Sequence, residues 1–249
     1  MSGRIFQFTN TFGAFTGLKL YLNRKYKKSS VVSFSFLKHP VHFRAQYTTS
    51  DLSMFEQIFY SKHYEISVPF APKIIFDLGA NVGFASIYFA NRFPGSQIIA
   101  IEPNAENYKS AVMNSENYDN IKMIYDAVWN RHEELHVVDK GHGEAAFMIE
   151  PGKGENEVPA YTIKSLMQMM KTDEIDILKI DIEGSEKEIF ETGYEDWLPK
   201  TKIVIVETHD RYRKGTSKAV METICKYYFS LELSGENLVF YNNNLINAY

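Results

Sequence analysis

Hydrophobic and polar positions follow different patterns before and after residue 73. After this point, short apolar runs rich in isoleucine and valine alternate with segments in which apolar residues recur at helical spacing. This alternation predicts a parallel, doubly wound α/β sheet. The predicted strands are residues 74–76, 97–101, 121–125, 175–180 and 202–206. The predicted helices are residues 84–92, 105–117, 185–191 and 216–228, and residues 230–233 and 238–241 form a closing hairpin.

The first 70 residues have a different pattern, and we expect residues 1–70 to form an amino-terminal extension packed on a domain of residues 71–249. The predicted elements of this extension are a helix around residues 19–28, strands at 31–36 and 41–47, and a helix from Ser50 or Asp51 to Phe59.

Residues 134–161 interrupt the α/β alternation. Apolar residues at every second position predict an inserted hairpin over residues 134–149, with its turn at Gly141-His142-Gly143. The polar, glycine-containing segment 152–157 is predicted to be a mobile loop.

Composition narrows the class of protein. The chain has 249 residues, 45% of them hydrophobic, which is enough for one large core. A formal net charge of −4 argues against nucleic acid as a partner. The single cysteine, Cys225, excludes an intramolecular disulfide and a cysteine-rich zinc site. No apolar run approaches the roughly 20 residues that span a bilayer, and residues 1–8 lack a secretory pattern, so we expect a soluble, cytoplasmic protein.

A glycine turn follows the first strand of the α/β pattern. Asp77 ends that strand, and Gly79-Ala80-Asn81-Val82-Gly83 leads into the next helix. Glycine permits backbone conformations and close approaches that larger residues prevent. A dinucleotide site has Gly-x-Gly-x-x-Gly around a pyrophosphate, whereas this turn has Gly-x-x-x-Gly beside an acid. An acidic turn suits the ammonium and sulfonium groups of S-adenosylmethionine, which favours this methyl donor over NAD.

Two further acids end the next two strands. Glu102, followed by Pro103, comes about 20 residues after the glycine turn, where a ribose diol lies in nucleotide-binding sheets. Asp126 follows the third strand and can accept a hydrogen bond from an adenine amino group, with the Ala127 backbone close to the ring. Because acids end three successive strands, we predict that they contact one nucleoside-bearing cofactor.

The carboxyl ends of the fourth and fifth strands carry the candidate catalytic residues. Asp181 and Glu183 alternate with Lys179 and therefore share one side of the strand end. Either carboxylate can deprotonate a substrate hydroxyl or help to hold a divalent cation. His209 follows the fifth strand and is the first candidate for a general base, because the usual pKa of histidine is near neutrality. Histidine spacing predicts no metal site, and a divalent cation at the two carboxylates stays an open alternative.

These motifs resemble the FkbM family of methyltransferases. The matching segments are residues 77–83, 101–103, 178–186 and 206–209, within a similarity that covers roughly residues 73–210. The resemblance implies a class I methyltransferase sheet in the order 3-2-1-4-5-7-6, with the seventh strand antiparallel. It implies O-methylation of a sugar, glycan or natural product with S-adenosylmethionine as the methyl donor. The cofactor contacts that it suggests are Asp77, Gly79, Asn81, Glu102 and Asp126.

Two other functions fit the same motifs. An NAD-dependent oxidoreductase or epimerase would bind a nicotinamide cofactor and not S-adenosylmethionine. A noncatalytic cofactor-binding subunit would bind the methyl donor without transferring its methyl group to any acceptor. The sequence leaves the identity of the small-molecule or glycan acceptor and the oligomeric state open.

Overall fold

A computed structural model describes residues 2–45, 48–139, 147–151 and 157–246. The amino-terminal elements are α1 (Ser2–Phe12), α2 (Ala14–Lys25), β1 (Ser30–Val32), β2 (Val41–Phe43) and α3 (Thr48–Phe59). The next elements are β3 (Ile74–Leu78), α4 (Phe84–Arg92), β4 (Gln97–Ile101), α5 (Ala105–Ser115) and β5 (Ile121–Ile124). They are followed by β6 (Ala127–Val128), β7 (Glu134–Asp139), β8 (Phe147–Pro151), β9 (Glu157–Tyr161) and α6 (Ile163–Met170). The last elements are β10 (Ile175–Ile180), α7 (Glu186–Glu191), β11 (Thr201–Val206), α8 (Thr216–Ile224), β12 (Phe229–Ser234) and β13 (Asn237–Asn242).

In the described part of the chain, seven strands form the central sheet in the order β5-β4-β3-β10-β11-β13-β12. The strands β3, β4, β5, β10 and β11 are parallel, whereas β13 is antiparallel to both of its neighbours. When the sheet strands are numbered along the chain from 1 to 7, this order is 3-2-1-4-5-7-6. The structure therefore confirms the predicted α/β class and strand order.

Both faces of the central sheet are covered, which explains why its parallel strands are mostly apolar. Ile75 and Ile177 are fully buried on the face that carries α4 and the amino-terminal elements. Phe76 and Leu178, one residue further along each strand, are fully buried on the face that carries α6, α7 and α8. Because successive residues of a strand point to opposite faces, the sheet separates two hydrophobic cores.

An aromatic cluster packs the amino-terminal elements against α4. The ring of Phe55 in α3 lies 5.5 Å from that of Phe84 in α4, and the ring of Phe43 in β2 lies 5.7 Å from Phe84. Phe34 lies 4.5 Å from Phe55, again between ring centroids. Buried aromatic side chains contribute large apolar areas, so this packing fixes α3 beside the central sheet. The division of the chain at residue 70 stays a prediction.

A buried ion pair connects the amino-terminal elements to α5. The Arg44 guanidinium lies 2.6 Å from the Asp51 carboxylate, and another of its nitrogens donates a hydrogen bond of 2.6 Å to the side-chain oxygen of Asn107. Asp51 is fully buried and accepts a further hydrogen bond from the Arg44 backbone. This link ends close to the carboxyl edge of β4, because Asn107 is in the first turn of α5.

The insertion is larger than a hairpin. The strands β7 and β8 pair antiparallel as predicted, and β9 and β6 extend them to a four-stranded sheet with its own small core around Trp129 and Leu135. The predicted turn at Gly141-His142-Gly143 and most of the predicted loop 152–157 lie outside the described residues, and Glu157 begins β9.

Several other boundaries differ from the predictions. The strands β1 and β2 are only three residues long, because Phe34 turns into the aromatic cluster instead of continuing the pairing. The helices α1 and α6 were not predicted, although Thr162 and Ser165 form a capping box at the start of α6. The last predicted helix, residues 216–228, ends at Ile224. Among the described residues, no helix combines the length and the apolar character needed to cross a lipid bilayer.

Candidate functional site

The glycine turn after β3 is held against the end of β4. The backbone N–H groups of Gly79 and Ala80 both donate to the Ile101 carbonyl oxygen, at 3.0 and 2.8 Å. Gly79 has φ 81, and a Cβ at this position would lie 1.8 Å from the backbone oxygen of Asp181. Gly83, at φ 84, directly precedes α4. The turn therefore requires glycine at residue 79, both for its left-handed backbone and for its contact with the residue after β10.

Asp77 lies beneath this turn and is neutralised within the protein. Its side chain is fully buried, and its Oδ1 lies 3.0 Å from the Lys179 Nζ, which also donates a hydrogen bond of 2.7 Å to the Gly79 carbonyl oxygen. The Ser86 hydroxyl donates to the other carboxylate oxygen of Asp77. Burial alone would lower the pKa of Lys179, but the charges of Asp77 and Asp181 outweigh it and raise this pKa. We therefore correct the expectation that Asp77 presents a free negative charge to a cofactor.

Glu102 is positioned by hydrogen-bond donors of the neighbouring backbone. The N–H groups of Asn81 and Asn104 donate to its two carboxylate oxygens at 2.8 and 2.9 Å, and the Asn107 amide donates at 3.4 Å. Burial raises the pKa of Glu102 to about 7, although these hydrogen bonds oppose the shift. Each carboxylate oxygen has two acceptor sites, so Oε2 can still accept one hydrogen bond from a ligand, and the long 3.4 Å bond from Asn107 leaves the second site on Oε1 easily exchanged.

Asp126 and Ala127 lie at the same edge of the sheet as Glu102. Asp126 is in the turn between β5 and β6, and partial burial raises its pKa to about 6. Ala127 begins β6 and is 1% exposed. Two cavities open at this edge of the sheet, and Asp77, Asp126 and Ala127 line neither of them. A cofactor contact at these three positions therefore stays a prediction.

Two adjoining cavities open at the carboxyl ends of the strands. The first, which we call the β4 cavity, is lined by Ile101, Glu102, Pro103, Asn107, Val128 and Ile182. The second, which we call the β11 cavity, is lined by Tyr64, Ala80, Asn81, Lys179, Glu207 and Asn237. Gly79 and Asp181 line both cavities, so the two cavities are direct neighbours at the ends of β3 and β10.

One histidine and four carboxylates meet beside the β11 cavity, and we call them the His209 cluster: Asp181, Glu183, Glu186, Glu207 and His209. The ring Nδ1 of His209 lies 2.8 Å from Glu186. The ring Nε2 lies 3.2 Å from Glu207, 3.5 Å from Glu183 and 3.7 Å from Asp181. The ring is only 3% exposed, so these carboxylates are its immediate surroundings.

The surroundings of His209 change its expected role. Burial by itself would lower the pKa of His209, but hydrogen bonds to Glu186 and Glu207 and the charge of Asp181 raise it to about 11. A ring with this pKa is already protonated near neutrality and accepts no further proton. This protonation argues against His209 as the general base, although His209 was the first candidate for that role from the sequence.

Glu183 occupies a strained turn between β10 and α7. Its backbone has φ 55, in the left-handed region that residues other than glycine seldom adopt, and Gly184 follows at φ 105. Burial and the nearby charge of Asp181 raise the pKa of Glu183 to about 8. Backbone strain of this kind is common at functional sites, where the surrounding structure holds it in place.

Sequence reasoning located part of the cavity lining and missed several of the residues that hold it. Gly79, Ala80, Asn81, Glu102, Pro103, Asp181 and Glu183 line one or both cavities. The missed residues are Arg44, Tyr64, Asn107 and Glu186. Tyr64 is 6% exposed and lies beside Lys179 and Asp181 in the β11 cavity, yet nothing in its sequence neighbourhood distinguishes it from a core aromatic residue.

The sequence also matches a known family. Residues 77–231, more than half of the chain, match the family model described as the methyltransferase FkbM domain. No curated protein sequence matches the chain. The family match includes the glycine turn, Glu102 and the whole His209 cluster.

Solved structures resemble the chain at low sequence identity. The methyltransferase FkbM from Methylobacillus flagellatus KT has a TM-score of 0.50 and 10% identity, and the match covers 93% of this chain and 60% of that protein. A putative O-methyltransferase from Klebsiella pneumoniae has a TM-score of 0.43 and 11% identity, over 90% of this chain and 88% of that one. An O-methyltransferase from Bacillus cereus, solved in complex with S-adenosylhomocysteine, has a TM-score of 0.41 and 13% identity, over 77% of this chain and 80% of that one. The chain thus spans less than two thirds of the Methylobacillus protein, and this likeness shows a common fold.

Proposed function

The chain belongs to the FkbM methyltransferase family, and we propose that it transfers a methyl group from S-adenosylmethionine to a hydroxyl oxygen of a sugar, glycan or natural product. The observation that carries this proposal is the placement of Glu102. Its carboxylate is held by backbone N–H groups at the end of β4 and lines a cavity that adjoins an acidic second cavity. This arrangement suits a ligand with a diol at one end and a positive charge at the other.

The residues of the β4 cavity fit the nucleoside part of this methyl donor. Glu102 retains one free acceptor site on Oε2 for a ribose hydroxyl, and the second hydroxyl can take the site on Oε1 that the long 3.4 Å hydrogen bond from Asn107 now occupies. Each charged hydrogen bond would contribute roughly 1.5–3 kcal/mol. Ile101, Val128 and Ile182 supply apolar walls for an adenine ring. The glycine turn lacks the pyrophosphate motif of a dinucleotide site, because its spacing is Gly-x-x-x-Gly and not Gly-x-Gly-x-x-Gly.

The residues of the β11 cavity fit the charged part of the donor and the acceptor hydroxyl. S-adenosylmethionine supplies an electrophilic methyl group on a positively charged sulfur. Asp181 lines both cavities, and Asp181 and Glu207 give this region a negative potential that suits a cation. Binding both reactants in a shared cleft aligns them, and alignment of this kind can contribute about 7–11 kcal/mol to lowering the barrier.

A carboxylate of the same region is proposed to accept the proton of the acceptor hydroxyl. The protonated ring of His209 is excluded from this role at neutral pH. Asp181 and Glu183 remain, and burial raises the pKa of both, which makes each ionised carboxylate a stronger base than an exposed acid. With its pKa at about 8, Glu183 can accept the proton only in its ionised fraction, which grows as the pH rises toward 8. A positioned base typically contributes on the order of 10²–10⁴ in rate.

The experiment that tests this function combines a binding assay with product identification. S-adenosylhomocysteine is titrated into the protein by calorimetry, and the protein is then incubated with methyl-labelled S-adenosylmethionine and extracted glycans and metabolites. We expect binding of the nucleoside and a labelled methyl ether in the mass spectrum. Binding of NAD without binding of S-adenosylhomocysteine would instead assign an oxidoreductase or epimerase. Donor binding without a labelled product from any extract would indicate a noncatalytic subunit, and a labelled N- or C-methyl product would refute the choice of oxygen.

A further inference from the structure

The His209 cluster contains more negative charge than the described cations around it balance. Four carboxylates surround one imidazole ring. Lys179 lies closer to Asp77, at 3.0 Å, than to Asp181, at 3.6 Å, and Arg211 adds one further positive charge that acts on Glu207. Even with a doubly protonated ring, the cluster keeps an excess of acids in a mostly buried place. Excess negative charge of this kind is stabilised by a bound cation.

The orientation of the His209 ring is that of a metal ligand. Its Nδ1 lies 2.8 Å from Glu186, which is fully buried and fixes the plane of the ring. Histidines that bind metals typically donate their other ring N–H to such a carboxylate. With a proton on Nδ1, the Nε2 lone pair of a neutral ring would point at the carboxylates of Asp181, Glu183 and Glu207. That contact is repulsive unless a second proton or a metal cation lies between them.

From this geometry we propose that Asp181, Glu207 and His209 bind a divalent transition-metal cation such as Mn²⁺. One ligand atom from each of the three residues lies within 4.8 Å of the others. Ligand atoms at right angles around an ion, each about 2.1–2.3 Å from it, are roughly 3.0–3.3 Å apart. The separation of 3.2 Å between His209 Nε2 and Glu207 is in this range, and the separation of 3.7 Å to Asp181 requires only a small closure.

An independent observation supports an occupant at this position. One carboxylate oxygen of Glu183 is buried and has no hydrogen-bond partner among the described residues, and the same oxygen faces His209 Nε2 at 3.5 Å. A buried carboxylate oxygen without a donor is costly. A cation between the ring and the three carboxylates would satisfy this oxygen, either directly or through a bound water.

The kind of ion follows from the ligands. Ca²⁺ and Mg²⁺ use oxygen ligands almost alone, whereas one imidazole nitrogen with carboxylates is typical of divalent transition metals. Asp181 and Glu207 also line the β11 cavity, so the ion would keep open positions toward it. The metal site depends only on these side chains. Its further role, to hold and acidify the acceptor hydroxyl, rests on the proposed function.

The test is a titration of the metal-stripped protein with MnCl₂ alone, followed by electron paramagnetic resonance. We expect one saturable Mn²⁺ site per chain and a nitrogen coupling from the ring of His209 in the pulsed spectrum. This coupling is measured on the wild-type protein, so it does not depend on how well a variant folds. Absence of saturable Mn²⁺ binding, or of the nitrogen coupling, would mean that only a second proton on the His209 ring occupies this position. Either result would overturn the proposal.

Variants locate the ion. Glu207→Gln removes a ligand charge and is expected to weaken Mn²⁺ binding at least tenfold. Glu186→Gln removes the carboxylate that orients the ring and should weaken binding about 10–100-fold. The matched control is Glu191→Gln on α7, where the same change affects an exposed side chain, and binding should be unchanged. Equal affinity in all three variants, each checked for folding by circular dichroism, would refute the site. Because S-adenosylhomocysteine binding is measured separately, loss of the metal site leaves the proposed function standing.

Discussion

The two ends of the cleft hold their carboxylates in opposite ways. At the end of β4, a single acid, Glu102, is surrounded by N–H donors and has no cation among its hydrogen-bond partners in the described residues. At the ends of β10 and β11, four acids crowd around His209, and Asp77 pairs with Lys179 beneath them. A carboxylate that is held by neutral N–H donors can accept further hydrogen bonds from neutral hydroxyl groups. Several carboxylates close together are stable only with cations beside them.

Because of this difference, the two ends of the cleft suit different parts of a ligand. A ligand with a diol fits the β4 cavity, and positive charge fits the β11 cavity, so a sulfonium nucleoside is matched by both ends together. The difference also predicts that the two ends respond unequally to mutation. Loss of a cation at the acidic end should affect folding, whereas changes around Glu102 should mainly affect binding.

The largest expected effect comes from removal of the buried cation at the acidic end. Lys179→Met leaves Asp77 fully buried without its partner, and we expect the free energy of unfolding to fall by about 3–5 kcal/mol. The measurement is urea denaturation followed by circular dichroism. The matched control is Lys164→Met, whose exposed pair with Asp196 should contribute less than about 1 kcal/mol. Equal losses in both variants would remove the distinction between a buried and an exposed pair.

The next effect concerns the donor end. Glu102→Gln keeps the size of the side chain but removes its charge, so each hydrogen bond from a ribose hydroxyl becomes weaker. Loss of one charged hydrogen bond, about 1.5–3 kcal/mol, should raise the Kd for S-adenosylhomocysteine roughly 10–150-fold. We compare the affinity of this variant by calorimetry with that of Glu106→Gln, which changes an exposed acid of α5. Unchanged affinity in Glu102→Gln would contradict the assigned role.

The dependence of nucleoside affinity on pH tests the same role of Glu102. The pKa of Glu102 in the free protein is raised to about 7, and hydroxyl donors favour its ionised form. Nucleoside affinity should therefore be full above pH 7 and should decrease as the pH falls through about 7. Between pH 8 and pH 6 the expected change in Kd is about tenfold. Glu102→Gln should remove this dependence, and a wild-type affinity that is flat over this range would contradict the prediction.

The smallest expected effect tests the link between the amino-terminal elements and Glu102. Asn107 accepts a hydrogen bond from Arg44 and donates one of 3.4 Å to Glu102. Asn107→Ala should weaken nucleoside binding by about 0.5–1.5 kcal/mol, or roughly 2–12-fold, because Glu102 becomes less well positioned. Asn120→Ala is a matched control, since its amide donates to Ser96 at the opposite end of the strands. A loss of affinity in Asn120→Ala as large as in Asn107→Ala would attribute the effect to stability alone.

The central sheet was predictable because its strands are short, apolar and separated by helices of regular period. Parallel strands buried on both faces need such runs, and β4 and β10 begin and end at the predicted residues. Elements outside this alternation were missed: α1 precedes it, α6 follows the insertion, and β9 contains a proline, which weakens the strand pattern.

In the site, positions were easier to predict than charge states. The placement of Asp181 and Glu183 at the cleft follows from their distance to a strand end. The pairing of Asp77 with Lys179 depends on β3 and β10 lying side by side, 102 residues apart in the chain, where the two residues are register partners. The pKa of His209 depends on Glu186, which the sequence shows only as a residue near the start of a helix. Charge states follow from contacts across the sheet, which a single sequence does not display.

The most direct measurement of the central claim is a crystal structure of the protein with S-adenosylhomocysteine bound. We predict that both ribose hydroxyls lie within hydrogen-bond distance of the Glu102 carboxylate, and that the sulfur lies toward Asp181. A nucleoside bound elsewhere, or in the β4 cavity with its ribose turned away from Glu102, would contradict the account.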